Sequence, residues 1–323
     1  MKKVAVLALA LMVLLACDNT GDKRLLSSSS GNINSLSVVI DNELWEGSVG
    51  ESVRKVLAAP VYGLPQEEPL FSLRQMPPQV FTDFATKNRT VLKIESGKAA
   101  DTKFLKDVFA KPQKLILVTG MSSKEIIDQI ETNAEAIVSA FKTEELKEKQ
   151  RRIRISLHKN NSIEEKMGLS IRFPSVYRIA KEEDNFYWIR KDIRTGSMNL
   201  MVYEMPLDAI SKDENAITDI IKMRDSIGKA HIPGPVEGSY MITEAAYTPY
   251  LNQTIIDNKP TLETKSTWEV KNAFMAGPFI NYIIEDKTNN RLVVAEGFTF
   301  APSIEKRNQI FELEAIIRSI KIK

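Results

Sequence analysis

The chain has 323 residues, a formal charge of +2 and an ordinary apolar content of 43%, enough for one large or two ordinary domains with their own cores. Met1 to Ala16 hold two lysines and no acids, so the rest balances at 42 Lys+Arg against 42 Asp+Glu. That balance excludes the basic footprint of a nucleic-acid binder. One cysteine and two histidines leave few parts for disulfides, thiol nucleophiles or zinc sites.

The chain opens with Met1-Lys2-Lys3, then an unbroken apolar run from Val4 to Leu15, then Ala16-Cys17. A charged start, an apolar middle and a small residue before the cut form a secretory signal. The run is shorter than the roughly 20 residues of a membrane-spanning helix. Its ending resembles a bacterial lipobox. In such signals the cysteine is lipidated and becomes the first residue of the mature chain. The expectation is a signal peptide at residues 1–16 and lipid attachment at Cys17. Asp18 to Asn34, small and polar around Ser27-Ser28-Ser29-Ser30-Gly31, reads as a flexible tether.

Residues 35–150 alternate strands and helices, the signature of an α/β layer. Strands are expected at Leu36–Ile40, Leu70–Gln75, Thr90–Glu95 and Lys114–Thr119. Helices are expected at Val49–Ala59, at Gln79–Lys87 behind Pro77-Pro78, and at Thr102–Phe109. Ser122 and Glu125 have capping-box spacing before a helix with Ile126, Ile130, Ile137 and Phe141 on one face. It continues in charged form through Glu144, Glu145 and Glu148. The boundary is placed in the charged run from Arg151.

Residues 151–323 change character. Strands come in series at Leu169–Phe173, Tyr177–Ala180, Phe186–Arg190 and Met198–Tyr203, an antiparallel meander. A helix is predicted at Ala216–Gly228, with Ser211 and Glu214 as its capping box. Four more strands, at Tyr240–Ala246, Thr264–Val270, Phe279–Glu285 and Arg291–Phe300, precede a last helix from Pro302-Ser303. The expected fold is mixed α+β and α/β: two layered sheet-and-helix domains, the second a mainly antiparallel sheet with packed helices.

Gly31-Asn32-Ile33-Asn34-Ser35-Leu36, Gly63 to Phe71 (GLPQEEPLF) and Phe173-Pro174-Ser175-Val176-Tyr177 resemble phrases of a Bacteroidetes lipoprotein family catalogued as a domain of unknown function. The resemblance spans nearly the whole mature chain. It implies an envelope lipoprotein of a Gram-negative bacterium and transfers no catalytic residue. The second half is also similar in layout to the PsbP/Mog1-like sandwiches, from Leu169 to Pro174 at its start and Phe311 to Ile320 at its end.

Candidate site residues are few. Glu67 and Glu68, with Arg74 beyond them, lie in a proline-punctuated loop, and paired carboxylates suit acid/base or binding roles. His231, between Gly228 and Pro233-Gly234-Pro235, reads as a ligand or as a cation at a helix C-terminus. Tyr187 in Phe186-Tyr187-Trp188 is a candidate recognition aromatic. Gly120 before Ser122 lacks phosphate-loop spacing. His158 sits in a polar segment. No catalytic residue, metal site or cofactor is expected. The leading expectation is a non-catalytic binding or scaffolding module, held to the membrane by its lipid (on the periplasmic side of the outer membrane), whose partner is another envelope protein or a glycan. The alternative is a carboxylate-dependent hydrolase of cell-wall or glycan material built on Glu67 and Glu68.

Overall fold

A computed structural model describes residues 25–159 and 161–323. The signal and Cys17 lie outside the described residues, as does the first part of the tether. Among the described residues no helix is long and apolar enough to cross a membrane.

The N-terminal half runs β1 (Ser27–Ser28), β2 (Ser35–Val39), α1 (Asn42–Glu46), α2 (Ser48–Leu57), β3 (Ser72–Met76), β4 (Thr90–Ser96), β5 (Asp101–Lys106), β6 (Ala110–Lys111), β7 (Lys114–Gly120), α3 (Ser123–Thr132) and α4 (Ala134–Ile153). Five strands form one sheet in the order β3-β2-β4-β7-β5. The first four are parallel, and β5 returns antiparallel along β7. Parallel strands are covered on both faces and therefore read as continuous apolar runs. Leu36, Val38 and Ile40 pack toward the helices with Leu92, Ile94, Ile116 and Val118. Val39, Val91 and Leu115 face the other side, under Phe81.

Four expectations fail here. The one helix expected from Ser122 through Glu148 is two, α3 and α4, meeting at Asn133. Thr102–Phe109 is not a helix, because its first five residues belong to β5. Gln79–Lys87 is not a helix either. It is two single 3₁₀ turns, Pro78–Val80 and Ala85–Lys87, separated by Asp83 at φ 43°, a left-handed conformation that no α-helix continues through. The described part of the tether is docked rather than free. β1 pairs in parallel with β6, Arg89 donates to the carbonyls of Gly31 and Asn32, and the Asn34 amide donates to Glu145 Oε2 at 2.8 Å.

The C-terminal half runs α5 (Ser162–Met167), β8 (Leu169–Ser170), β9 (Arg178–Glu182), β10 (Phe186–Ile193), β11 (Gly196–Pro206), α6 (Ala216–His231), β12 (Met241–Thr243), β13 (Tyr250–Ile256), β14 (Lys259–Val270), β15 (Ala273–Asp286), β16 (Arg291–Phe300), α7 (Arg307–Ile317) and β17 (Lys321–Ile322). Eight strands form an antiparallel sheet in the order β12-β14-β15-β16-β11-β10-β9, with β13 pairing β14 beside β12. The period-2 alternation of each strand splits its side chains between two cores. Tyr187, Leu200, Ile280, Tyr282 and Ala295 face α7. Phe186, Met201, Phe279, Ile283 and Phe298 face α6. The mixed α+β expectation holds. The last helix starts at Arg307, later than Pro302, and α6 begins from Asn215 with no Ser211 cap.

The two sheets are joined by side chains from both halves. Lys149 on α4 pairs with Glu312 on α7 at 2.5 Å, and Gln150 donates to the Ala315 carbonyl. The proline-rich loop 60–69 reaches across as well. Tyr62 stacks on Tyr250 with ring centroids 4.7 Å apart, and Leu64 packs against the α7 core.

Candidate functional site

Glu67 and Glu68 are neighbours, and extended backbone turns successive side chains to opposite sides. Glu67 is exposed and Glu68 is buried at 5% exposure. Both Glu68 oxygens are occupied. Oε1 accepts from the Lys306 amide at 2.6 Å and Oε2 from the Arg307 amide at 2.8 Å. These are amides of the first turn of α7, which lack helical partners and carry the positive end of the helix dipole. Glu68 is therefore the cap of α7, delivered from the other half of the chain. Arg307 answers by donating to the Pro69 carbonyl and Ser72 Oγ. The acid/base pair expected from the sequence does not form, since the two carboxylates diverge. Arg74 is exposed on the edge strand β3.

Tyr187 is fully buried, and its hydroxyl donates to Glu182 Oε1 at 3.3 Å. It cannot present a recognition surface, because β10 is covered on both faces: Tyr187 lies in the α7 core and Phe186 in the α6 core. His231 ends α6 and stacks on Phe186 at 4.0 Å. Its Nδ1 lies 2.9 Å from Lys181 Nζ and 3.4 Å from Glu183 Oε2. Burial and the Lys181 charge lower its pKa, with Glu183 opposing them. It therefore favours the neutral form, accepting from Lys181, rather than acting as the helix-end cation expected from its position. His158 stacks on Phe173 at 4.8 Å. Among the described residues no group of His, Cys, Asp and Glu is arranged to hold a metal.

A large concavity lies where no candidate residue was expected. β13 and β14 form a hairpin at the sheet margin, and α6 stops short of covering it. The loop before α6 forms a roof with Leu207 and Ile210 over Leu251, Leu262, Ile283 and Leu292, enclosing a groove of about 740 Å³. Its exposed lining is more apolar than polar, with Lys212, Asp213, Gln253 and Glu285 among its polar residues. Lys212 pairs with Glu285 at 2.9 Å, which holds the Glu285 carboxyl below its usual range. Ser211 does not cap α6. Its amide and hydroxyl both donate to Asp219 Oδ2, at 3.1 and 2.5 Å, and so tie the roof to the helix. Volume, apolar lining and a few rim polar groups match the general character of small-molecule sites.

A second cleft, of about 720 Å³, opens between α4 and α7 beside Tyr62. Its charged groups satisfy one another. Burial would raise Glu314, yet Lys265, Lys142 and Arg318 hold it down at about 2, and Arg318 donates to it at 3.0 Å. The groove, by contrast, leaves Leu207, Leu251 and Leu262 half-buried and Ile255 exposed.

Buried ionic clusters escaped the sequence reading. Arg89 makes a two-point contact with Glu145, both bonds 3.0 Å long. Arg224 on α6 does the same with Glu296 on β16, both bonds 2.7 Å, and lies 3.4 Å from the Phe279 ring centre. Glu312 accepts from Lys149, Lys191 and Tyr177. Their partners are distant in sequence, and no local spacing signals them.

Comparison with known proteins gives families without an assigned role. A family model described as a domain of unknown function (DUF8532) matches residues 29–154. No curated protein matches. A solved structure from Bacteroides thetaiotaomicron is 13% identical with a TM-score of 0.27, covering 48% of this chain and 45% of its own. This chain thus spans less than half the length of that neighbour. The Saccharomyces cerevisiae Ran-binding protein Mog1p is 7% identical with a TM-score of 0.33, covering 48% of this chain and 89% of its own. A model described as a domain of unknown function (DUF4837) matches residues 156–319, just over half of the sequence, and the chain belongs to that family.

Proposed function

We propose that this protein is a lipid-anchored envelope lipoprotein without chemistry of its own, a binding module whose groove between the β13–β14 hairpin and the roof of α6 receives an amphiphilic guest. The observation that carries the binding role is the groove itself: an apolar floor of Leu251, Leu262, Ile283 and Leu292 with Lys212 and Glu285 at the mouth. An acyl chain with a polar head fits that arrangement, the chain on the floor and the head at the rim. The anchor rests on the lipobox-like run ending at Cys17. A hydrolase built on Glu67 and Glu68 finds no support, because one carboxylate caps a helix and the other faces solvent.

Titration with dodecanoate, read by displacement of a fluorescent fatty acid, tests the groove. About 14 heavy atoms at about −0.5 kcal/mol each give a Kd on the order of 10 μM. Leu251→Trp fills the groove from its floor and is expected to weaken binding at least tenfold with the melting temperature unchanged. Saturable binding that ignores Leu251→Trp, or no saturable binding, removes the proposal. The anchor is tested separately. Cys17→Ser is expected to abolish palmitate labelling and release the protein from membranes; a wild type that never labels contradicts it.

A further inference from the structure

Sheet edges invite pairing with other chains, and folded proteins blunt them with charge, proline, bulges or brevity. Most edges here are blunted. β9 reads Arg-Ile-Ala-Lys-Glu, and its ladder with β10 shifts register at Trp188/Ile189. β5 reads Asp-Thr-Lys-Phe-Leu-Lys. β3 carries Arg74 and runs into Pro77-Pro78, and β12 has three residues. β13 is the exception. Tyr-Leu-Asn-Gln-Thr-Ile-Ile has no charge and no proline, and its register along β14 is unbroken from Tyr250↔Lys265 to Ile256↔Lys259.

The turn defines which backbone groups are free. Asp257 and Asn258 have φ of 51° and 58°, a two-residue turn of the type that closes hairpins. Ile256 and Lys259 therefore exchange ladder bonds, and the alternation of an antiparallel pair turns Tyr250, Asn252, Thr254 and Ile256 toward β14. The amides and carbonyls of Leu251, Gln253 and Ile255 point outward. Among the described residues no other strand pairs with β13. Ile255 is 68% exposed beside them.

The strand also reads nearly the same in both directions. An antiparallel second copy centred on Gln253 places Leu251 opposite Ile255, Tyr250 opposite Ile256 and Asn252 opposite Thr254. Apolar meets apolar, polar meets polar, and no like charges meet. The pairs Leu251/Ile255, Gln253/Gln253 and Ile255/Leu251 are those whose backbone groups face outward, so about six main-chain hydrogen bonds form. We propose that β13 is a homodimer edge: two copies join Tyr250–Ile256 about a twofold axis, continuing one sheet across both and setting their two grooves side by side. Seven residues span roughly 23 Å. The area lies at the low end for specific interfaces, so the dimer is a weak one that a shared membrane plane would favour.

The full-length chain in its native membrane tests this with Gln253→Cys under mild oxidation. Directly opposed residues of a hydrogen-bonded pair lie about 5.5 Å apart at Cα, within disulfide reach. A species of twice the monomer mass is expected on non-reducing gels, absent from wild type and from Arg178→Cys on the charged edge β9. In a second measurement, Gln253→Pro removes one outward amide and leaves the β14 ladder intact. The detergent-solubilised variant is expected to keep its circular dichroism and to sediment as a monomer at tenfold the concentration that dimerises wild type. Crosslinking no stronger than Arg178→Cys, a crosslink to a different protein, or equal sedimentation of Gln253→Pro and wild type overturns the proposal. Gln253 also lines the groove, so dodecanoate binding is read on wild type below and above the dimerising concentration, and the two readings fail separately.

Discussion

Replacing Glu68 with alanine removes a single side chain from one half of the molecule and uncaps a helix in the other. In the intact protein its carboxylate accepts two amides, at 2.6 and 2.8 Å, in a buried site. Hydrogen bonds to a charged group contribute about 1.5–3 kcal/mol, and capping a helix N-terminus contributes about 0.5–2 kcal/mol. These describe the same contact from two sides and do not add in full, so the expected loss for Glu68→Ala is about 3 kcal/mol. Glu68→Gln keeps one acceptor oxygen and the shape but loses the charge, and about 1–2 kcal/mol is expected. Glu67→Gln, one residue away and exposed, should stay within about 0.5 kcal/mol of wild type. Urea denaturation read by tryptophan fluorescence measures all three. Trp45 reports on the N-terminal half, and Trp188 and Trp268 on the C-terminal half. Single-tryptophan versions should show the C-terminal reporters shifting to lower urea in Glu68→Ala and separating from Trp45 as α7 loosens from loop 60–69. Equal effects of the Glu67 and Glu68 substitutions, or a Glu68→Ala protein as stable as wild type, would refute the capping argument.

Further outcomes follow from other contacts. Burial would raise the Glu312 carboxyl, but Lys149 and Lys191 outweigh it and hold it at about 2. A lowered folded pKa contributes stability above the unfolded value of 4.5, lost as pH falls toward 2, so wild type should lose about 2 kcal/mol of this contribution by pH 3 and its advantage over Glu312→Gln should shrink in acid denaturation curves. Gly63 sits at φ +81°, and an added Cβ would lie 2.9 Å from Lys265 Cβ; Gly63→Ala is expected to cost about 2 kcal/mol in urea melts through strain and displacement of loop 60–69. Arg224→Met leaves Glu296 charged and buried, at an expected cost of about 3–5 kcal/mol, whereas Arg224→Met with Glu296→Leu should recover most of it; a double variant no better than the single contradicts the assignment.

The parts of the fold legible from sequence share a physical cause. The buried parallel strands are continuous apolar runs, Ser122 does cap α3 by accepting from the Glu125 amide, and the meander strands are apolar and aromatic stretches separated by turn residues. β5 is not legible in the sequence because Asp101–Lys106 is short and carries no strong period, so its state is set by the open edge of β7 rather than by local preference. β13 was missed for a similar reason: Leu251, Gln253 and Ile255 share a face without a uniform chemistry. Glu144, Glu145 and Glu148 read as the charged continuation of a helix, yet all are buried, and Glu145 is held by Arg89, 56 positions earlier. The same arginine fixes residues 31–32, whose composition suggested a free tether. The candidate site was less legible than the fold. A groove bounded by half-buried Leu251 and Leu262 beside buried Ile283 is a property of tertiary arrangement, and its residues are indistinguishable in sequence from ordinary core.

The measurement that bears most directly on the binding role is methyl NMR of the protein titrated with dodecanoate. Saturable shifts confined to Leu251, Leu262, Ile283 and Leu292, with Leu36 and Ile116 of the N-terminal core unmoved, are the predicted result. Shifts centred on Leu146 and Val138 at the cleft between the halves, or none at all, would contradict it.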